Sequence, residues 1–208
     1  MINFDILRSV NASFLIDTNH INVRGKNPYI NQLETWYDRN IIILYTPEAT
    51  FSDLSNEGNS GWSKKRKDKA RQRPIVYPFI NIDRVYQDVT DSNNDCLVPE
   101  WEKEFDRRVY AEIEEILYIK DDQNTRNDIN IVYSAWESKS ILVTNDGASN
   151  RQSKGILGNS DKLKEGFNIV IMRDFESVEY VRLLIKKRDE CILHGLKEHD
   201  LLGWVGKD

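Results

Sequence analysis

The stretch SFLIDTNH, residues 13–20, sets a run of apolar residues directly against a carboxylate. Three apolar residues in succession, from Phe14 to Ile16, are typical of a strand covered on both faces, as in a parallel sheet between two layers of helices. Asp17 then falls at the carboxyl end of that strand, where open α/β sheets bind their ligands. Asp17 or Thr18 could instead cap a following helix, and a single strand end does not decide between these two interpretations.

Other continuously apolar runs predict three more strands, and apolar residues at three- and four-residue intervals predict four helices. The strands are expected at residues 41–45, 141–144 and 167–172, and the helices at residues 27–38, 99–120, 128–138 and 175–185. Asn27 is the expected N-cap of the first helix, with Pro28 at its first position, and Thr46 and Pro47 are expected to start a short helix after the second strand. This alternation predicts an α/β fold: a three-layer α/β/α sandwich with a mainly parallel central sheet.

The size and composition predict one folded domain that spans residues 1–208. A chain of 208 residues, 39% hydrophobic and 30% charged, can bury a core and is too apolar to be largely disordered. An irregular, basic insertion is expected at about residues 55–99, and a C-terminal tail after about residue 191. No apolar run reaches membrane-spanning length and the first residues do not resemble a signal peptide, so a cytoplasmic protein without membrane association is expected.

The residues that could bind a metal point to oxygen ligands. Cys96 and Cys191 are far apart and form neither a disulfide framework nor a CxxC motif, and the three histidines lack the spacing of a zinc site. A metal would therefore be held by carboxylates, which favours Mg²⁺ or Mn²⁺.

Acidic residues fall at equivalent places along the chain. The run ILVTND ends in Thr144, Asn145 and Asp146, so a second strand delivers an aspartate to the edge that Asp17 occupies. Asp53 is expected on a helix after the second strand, and Asp128 at the start of the helix before ILVT. Four acids are therefore expected to converge at the carboxyl edge of the sheet. Without a cation such a cluster repels itself and costs stability, which argues against a purely architectural role.

The four segments SFLIDTN, PEATFSDL, DINIVYSA and ILVTND resemble, in this order, the acidic motifs of the PIN-domain nucleases, including the toxin-like ribonucleases. In that family an Asp ends the first strand, an acid-Leu pair lies on a helix after the second, an Asp begins a helix with an Ala seven residues on, and Thr-x-Asp ends the fourth strand. The matching residues are Asp17, Asp53 with Leu54, Asp128 with Ala135, and Thr144 with Asp146. FNIVIMRDFESV resembles the closing strand and helix. The second acid is more often Glu in the family, so Glu48 is an alternative to Asp53.

The resemblance implies a metal-dependent endoribonuclease. Its catalytic and metal-binding residues would be Asp17, Asp53, Asp128 and Asp146, holding Mg²⁺ or Mn²⁺, and a metal-activated water would cleave RNA to leave a 5′-phosphate. The residues expected to orient carboxylates or waters are Thr18, Asn19, Thr144, Asn145 and Glu48. Two alternatives stay open: a catalytically silent PIN fold that binds RNA or serves as a scaffold, and a structure-specific DNA nuclease. The sequence also leaves open an antitoxin or other protein partner and a homodimer.

A basic run lies within the irregular insertion. Its residues are Lys64, Lys65, Arg66, Lys67, Lys69, Arg71 and Arg73, opposed only by Asp68. The run is cationic on a chain of net charge −5 and has almost no apolar residues to anchor it in a core. Trp62, Tyr77 and Phe79 flank it, so bases could stack there while the cations hold phosphates. The run is therefore predicted to bind the RNA backbone, the alternatives being a solvated loop and a surface for a protein partner.

Overall fold

The structure is a computed structural model that describes residues 4–22, 27–51, 67–68, 70–76, 100–147 and 155–208. Several residues of the predicted site lie outside these ranges. They are Asp53 with Leu54, and Lys64, Lys65, Arg66 and Lys69 of the basic run, together with the flanking aromatic residues Trp62, Tyr77 and Phe79.

Within the described residues, five parallel strands form one sheet in the order β3-β2-β1-β4-β5. The strands are β1 (Ser13–Ile16), β2 (Ile43–Pro47), β3 (Ile75–Val76), β4 (Ile141–Val143) and β5 (Ile171–Met172). The central strand, β1, pairs Phe14 with Leu44 of β2 and Leu15 with Leu142 of β4. The predicted α/β class and the parallel sheet are confirmed.

Seven α-helices of five or more residues surround the sheet in the described part of the chain. They are α1 (Phe4–Arg8), α2 (Thr18–Asn22), α3 (Pro28–Asp38), α4 (Glu100–Leu117), α5 (Gln123–Glu137), α6 (Ser160–Phe167) and α7 (Asp174–Gly195). Asn27 caps α3 as predicted, because its side chain accepts hydrogen bonds from the amides of Tyr29 and Ile30. None of the described helices combines the length and apolar composition needed to cross a lipid bilayer.

Helices cover both faces of the sheet and give the fold three layers. One face packs on α3 and α7 through a cluster that includes Phe14, Leu33, Trp36, Val143 and Val181. The other face packs on α4, α5 and α6 through a cluster that includes Leu15, Ile113, Val132, Leu142 and Leu163. Phe14 and Leu15 are neighbours on β1 and enter different clusters, because successive strand residues point to opposite faces.

The predicted helix start at Thr46 and Pro47 is wrong. Both residues belong to β2, and helical residues appear only from residue 49. The cause is pairing with β3: the amides of Thr46 and Glu48 donate to the carbonyls of Pro74 and Val76, which continues the ladder. Alternate residues of a parallel strand bond to the same neighbour, so the missing amide proton of Pro47 does not interrupt the pairing with β3.

The helix that carries Asp128 begins earlier than predicted. It starts at Gln123, and Asp122 caps it by accepting a hydrogen bond from the amide of Thr125 at 2.9 Å. Asp128 therefore lies in the second turn of α5 and does not open the helix. Hydrophobic periodicity missed the first turn because its buried positions, Thr125 and Asn127, are polar.

Three further boundaries differ from the prediction. The segment after Asp17 is the short helix α2, which the apolar periodicity did not predict. The strand predicted at residues 167–172 begins only at Ile171. Its first residues are displaced by α6, which was not predicted and ends at Phe167, and Asn168 follows that helix with a left-handed φ of 56°. The last helix continues to Gly195, so the C-terminal tail begins about four residues later than expected.

The C-terminal tail is tied to the N-terminal helix by a cluster of charges around Trp204. Arg8 and Arg188 lie over the Trp204 ring at 5.6 and 4.4 Å from its centroid. Both guanidinium groups also bond to the Asp208 carboxylate, at 3.0 and 2.5 Å, and the Asp208 side chain is only 1% exposed. Arg188 bonds in addition to the carbonyl of Arg8. The tail is therefore an integral part of the fold.

Candidate functional site

The strand order reverses between β1 and β4. From β1 the chain moves outward to β2 and β3 on one side, and it then returns to place β4 and β5 on the other side. Such a reversal opens a crevice at the carboxyl ends of the two central strands, where ligands of open α/β sheets bind. Asp17 follows β1 and Thr144 follows β4 at this point, and the Asp17 amide donates to the Val143 carbonyl at 3.1 Å.

The Asp17 carboxylate is buried at this edge, with 2% of the residue exposed. Its Oδ2 accepts hydrogen bonds from Thr144 Oγ1 at 2.6 Å and from Asn19 Nδ2 at 3.2 Å. Its Oδ1 accepts a longer bond, 3.4 Å, from the amide of Asn19 in the first turn of α2. Both interpretations of Asp17 therefore apply: it lies at the carboxyl edge of the sheet, and it also caps the next helix.

The electrostatic surroundings of Asp17 oppose its charge. Burial raises its pKa above the ordinary value of an aspartate, and the negative charge of Asp146 raises it further, while hydrogen bonds from Thr144 and Asn19 act in the opposite direction. In the part of the chain that the structure describes, no Lys or Arg pairs with this carboxylate. A cation bound here would relieve an otherwise uncompensated buried charge.

Thr144 connects the two strand-end aspartates through one hydroxyl group. The side chain is fully buried, and its Oγ1 donates to Asp17 and accepts a hydrogen bond from the Asp146 amide at 2.9 Å. A single side chain therefore fixes the Asp17 carboxylate relative to the backbone that carries Asp146.

The Asp146 side chain is held from the other direction by the segment before α6. Its Oδ2 accepts a hydrogen bond from the Ile156 amide at 2.9 Å. Gly155 makes this approach possible, because a Cβ atom at that position would lie 2.2 Å from Asp146 Oδ2. The same Cβ atom would lie 2.9 Å from the backbone nitrogen of Gly147, so the side chain of Asp146 and the backbone together favour glycine at position 155.

Asp174, at the start of α7, is an acid of the same edge that the sequence interpretation missed. Its Oδ2 accepts hydrogen bonds from Asn27 Nδ2 at 2.6 Å and from Asn145 Nδ2 at 3.1 Å, and its Oδ1 accepts one from the Phe175 amide. Burial raises its pKa, but these hydrogen bonds and the nearby His20 outweigh burial, so the pKa is lowered. Asp174 follows β5 by two residues, which is the same strand-end signal that identified Asp17 and Asp146.

His20 lies beside Asp174 on α2 and is buried. Burial lowers its pKa more than the Asp174 charge raises it, so the imidazole is neutral near pH 7. Its Nε2 has no hydrogen-bond partner among the described residues. The site edge therefore contains a neutral histidine next to an ionised, well-bonded carboxylate.

Asp128 lies on α5, on the opposite face of the sheet from α3 and α7. It shares a helix face with the buried residues Val132 and Ala135, four and seven positions further on. Asp128 itself is half-buried.

The described acids do not form a complete metal-binding group. Within residues 4–22, 27–51, 67–68, 70–76, 100–147 and 155–208, no cluster of three or more His, Cys, Asp or Glu side chains is placed to hold a metal ion. Asp17 and Asp146 are brought together, and Asp53 lies outside the described residues. Their carboxylate oxygens and the uncompensated Asp17 charge nevertheless suit a hard divalent cation such as Mg²⁺ or Mn²⁺.

The predicted orienting residues occupy different surroundings. Thr144 and Asn19 bond to Asp17, whereas Thr18 bonds to the hydroxyl of Thr50 at 3.1 Å, and Asn145 bonds to Asp174. Glu48 is in the turn after β2, at the carboxyl end of that strand, and is half-buried.

The end of the basic run is anchored, contrary to expectation. Ala70 is fully buried in the core cluster, and Arg73 is 6% exposed and forms an ion pair with Glu34 of α3. A buried guanidinium that is already paired is poorly placed to bind an RNA phosphate, so Arg73 is better explained as an anchor. Arg71 is exposed and 3.6 Å from Asp68, and Lys67 is half-buried.

No family model matches the chain, and no curated protein matches it. The functional interpretation therefore rests on the residues and the geometry described above.

Proposed function

We propose that this chain is a Mg²⁺- or Mn²⁺-dependent endoribonuclease with a PIN-like fold. The observation that carries the proposal is the pair of aspartates at the topological switch point. Asp17 and Asp146 follow the two central strands, interact electrostatically, and are connected by the Thr144 hydroxyl. Uncompensated burial of Asp17 supports a cationic ligand, and the all-parallel sheet with its reversed strand order supports a site at this edge.

In this proposal Asp17 and Asp146 hold the metal ion, and Asp53 and Asp128 complete its carboxylate ligands. The ion would offset the negative charge of the phosphoryl group. It would also lower the pKa of a bound water, so that this water can lose a proton at neutral pH. Thr144 and Asn19 keep the Asp17 carboxylate in one orientation through their hydrogen bonds. The preference for RNA and the 5′-phosphate product come from the resemblance to the PIN nucleases.

RNA binding in the proposal uses the basic run without Arg73. Lys64, Lys65, Arg66, Lys67, Lys69 and Arg71 would contact phosphates, and Arg73 is left out because it is paired inside the protein. On a chain of net charge −5, such a local cationic segment would be the main electrostatic attraction for a polyanion.

A metal titration with matched variants tests the proposal. Mn²⁺ at 100 times its dissociation constant should raise the free energy of unfolding by about 2.7 kcal/mol, or roughly 5–11 °C in Tm for a chain of this size. Asp17→Asn and Asp146→Asn should lose both this shift and the cleavage of single-stranded RNA. Asp161→Asn, an exposed aspartate on α6, is the control and should retain both.

The substrate and the products distinguish the alternatives. The proposal expects chelator-sensitive cuts that leave a 5′-phosphate on RNA, with a DNA strand of the same sequence left intact. Binding of RNA without metal-dependent cleavage would favour the silent RNA-binding or scaffold protein. Cleavage confined to branched or flapped DNA would favour the structure-specific DNA nuclease.

A further inference from the structure

Two aromatic side chains are exposed together at the start of α3 and α7. Tyr29 and Phe175 are each 41% exposed, and their ring centroids are 6.3 Å apart with the ring planes inclined at 60°. Single exposed aromatic residues are common on protein surfaces. Tyr29 and Phe175 differ from such single residues because their rings contact each other and because each lies at the start of its helix.

Hydrogen bonds connect the aromatic pair to the candidate active site. Asn27, two residues before Tyr29, donates to Asp174, the residue before Phe175. Asp174 also accepts a hydrogen bond from Asn145, the residue before Asp146. The two rings therefore border the same sheet edge as the acids, only one hydrogen-bonded connection away from Asp146.

The backbone beneath the rings is firmly held. The Asn27 side chain caps α3 at the amides of Tyr29 and Ile30, and the Asp174 side chain binds the amide of Phe175. Both rings are thus attached to the first turn of helices whose relative position is fixed by the Asn27–Asp174 bond. Arg173, two residues before Phe175, is exposed.

We propose that Tyr29 and Phe175 form an aromatic platform where one base of single-stranded RNA stacks on one ring and contacts the other, inclined ring with its edge, next to the phosphodiester that reaches Asp17 and Asp146. The platform rests on the proposed ribonuclease function and deepens it by assigning a base-binding subsite. Stacking on aromatic rings accepts every base, so the platform confers position without a strong sequence preference. Arg173 contacts a phosphate that flanks the stacked base. A nucleotide is favoured over a protein partner because the rings adjoin the acids that bind the phosphodiester.

The test uses a short single-stranded RNA with one 2-aminopurine, bound to the Asp17→Asn variant in Mg²⁺ so that the RNA stays intact. Tyr29→Ala and Phe175→Ala should each weaken binding by roughly tenfold, the lower part of the range measured for base–aromatic stacking. They should also abolish the quenching of 2-aminopurine fluorescence. Phe175→Trp should retain both signals, and Tyr118→Ala, a more exposed tyrosine remote from these helices in sequence, is the control.

A second set of measurements separates binding from chemistry. In the protein with Asp17 intact, Phe175→Leu keeps an apolar side chain and removes the ring, so KM for RNA should rise while kcat stays within about twofold. Far-UV circular dichroism and Tm, measured on every variant, establish that the variants fold.

Each remaining outcome would refute the platform alone or both proposals. If the wild type cleaves RNA and the folded Ala variants bind and quench like their parent, the platform is refuted and the ribonuclease function stands. If the substitutions change only the oligomeric state or the capture of a protein partner, the rings form a protein interface and the platform is refuted. If the wild type neither binds nor cleaves RNA, both proposals fail.

Discussion

Replacing Thr144 by Val tests whether one hydroxyl organises the candidate site. Valine has nearly the same shape as threonine, so the fully buried position stays filled while two hydrogen bonds disappear. Asp17 loses its shortest hydrogen bond, 2.6 Å, and the Asp146 amide loses its acceptor at 2.9 Å. No other change at this edge removes both connections with so small a change in packing.

The cost can be estimated from these two bonds. A hydrogen bond to a charged group contributes about 1.5–3 kcal/mol, and an amide that loses its acceptor costs about 1–3 kcal/mol when it is buried, so the part-buried Asp146 amide falls at the low end of that range. We therefore expect a total loss near 3 kcal/mol in the free energy of unfolding. For a chain of 208 residues, this loss corresponds to a decrease in Tm of roughly 6–12 °C.

Urea unfolding in the presence of chelator measures the loss, and Thr144→Ser provides the matched comparison. Serine keeps the hydroxyl and removes one methyl group, which should cost only about 1 kcal/mol. The Val variant should therefore be less stable than the Ser variant by about 2 kcal/mol. Equal stability of the two variants would show that the hydroxyl does not hold Asp17 and Asp146, and the geometric basis of the site would be lost.

Two further predictions concern charge. Because the pKa of Asp17 is raised in the folded protein, the unfolded chain releases this proton at lower pH, and the associated stability is lost as pH rises from about 4 through the folded pKa. The stability that Asp17→Asn gains in chelator should therefore grow toward pH 8. Urea midpoints of the wild type and the variant that do not move apart between pH 4 and 8 would contradict this. Asp208→Asn removes the carboxylate that two guanidinium groups share and should lower the free energy of unfolding by about 2–3 kcal/mol. This is somewhat less than the loss of a fully buried ion pair, because Arg8 is partly exposed. The control Asp200→Asn, at an exposed carboxylate, should change the free energy of unfolding by less than about 0.5 kcal/mol.

The sequence predicted the centre of the fold well because its signals are local. The apolar runs of β1 and β4 are continuous, and Asn27 followed by Pro28 is a complete helix start within two residues. Strand ends that carry Asp17 and Asp146 were recognised for the same reason, and parallel strands bring their carboxyl ends together. The contact between Thr144 and Asp17 is a consequence of this arrangement, because β1 and β4 are paired and the two residues directly follow these strands.

Features that depend on distant partners could not be predicted. β3 has two residues and exists through pairing with β2, so no periodicity marks it. Arg73 cannot be distinguished from the other basic residues of its run until Glu34, 39 positions earlier, is known to lie beside it. Asp174 carried a recognisable strand-end signal, yet its bond to Asn27, 147 positions away, required the packing of α3 beside α7.

The cluster around Trp204 has a consequence for the order in which this chain folds during synthesis. Its ion pair joins Arg8 to Asp208, residues 200 positions apart. At the usual rates of about 5–20 residues per second, a ribosome needs roughly 10–40 s to make the intervening chain. Throughout that time α1 lacks the Asp208 carboxylate that its Arg8 binds in the folded protein. Among the described elements, α1 is therefore one of the last to be secured in its native position.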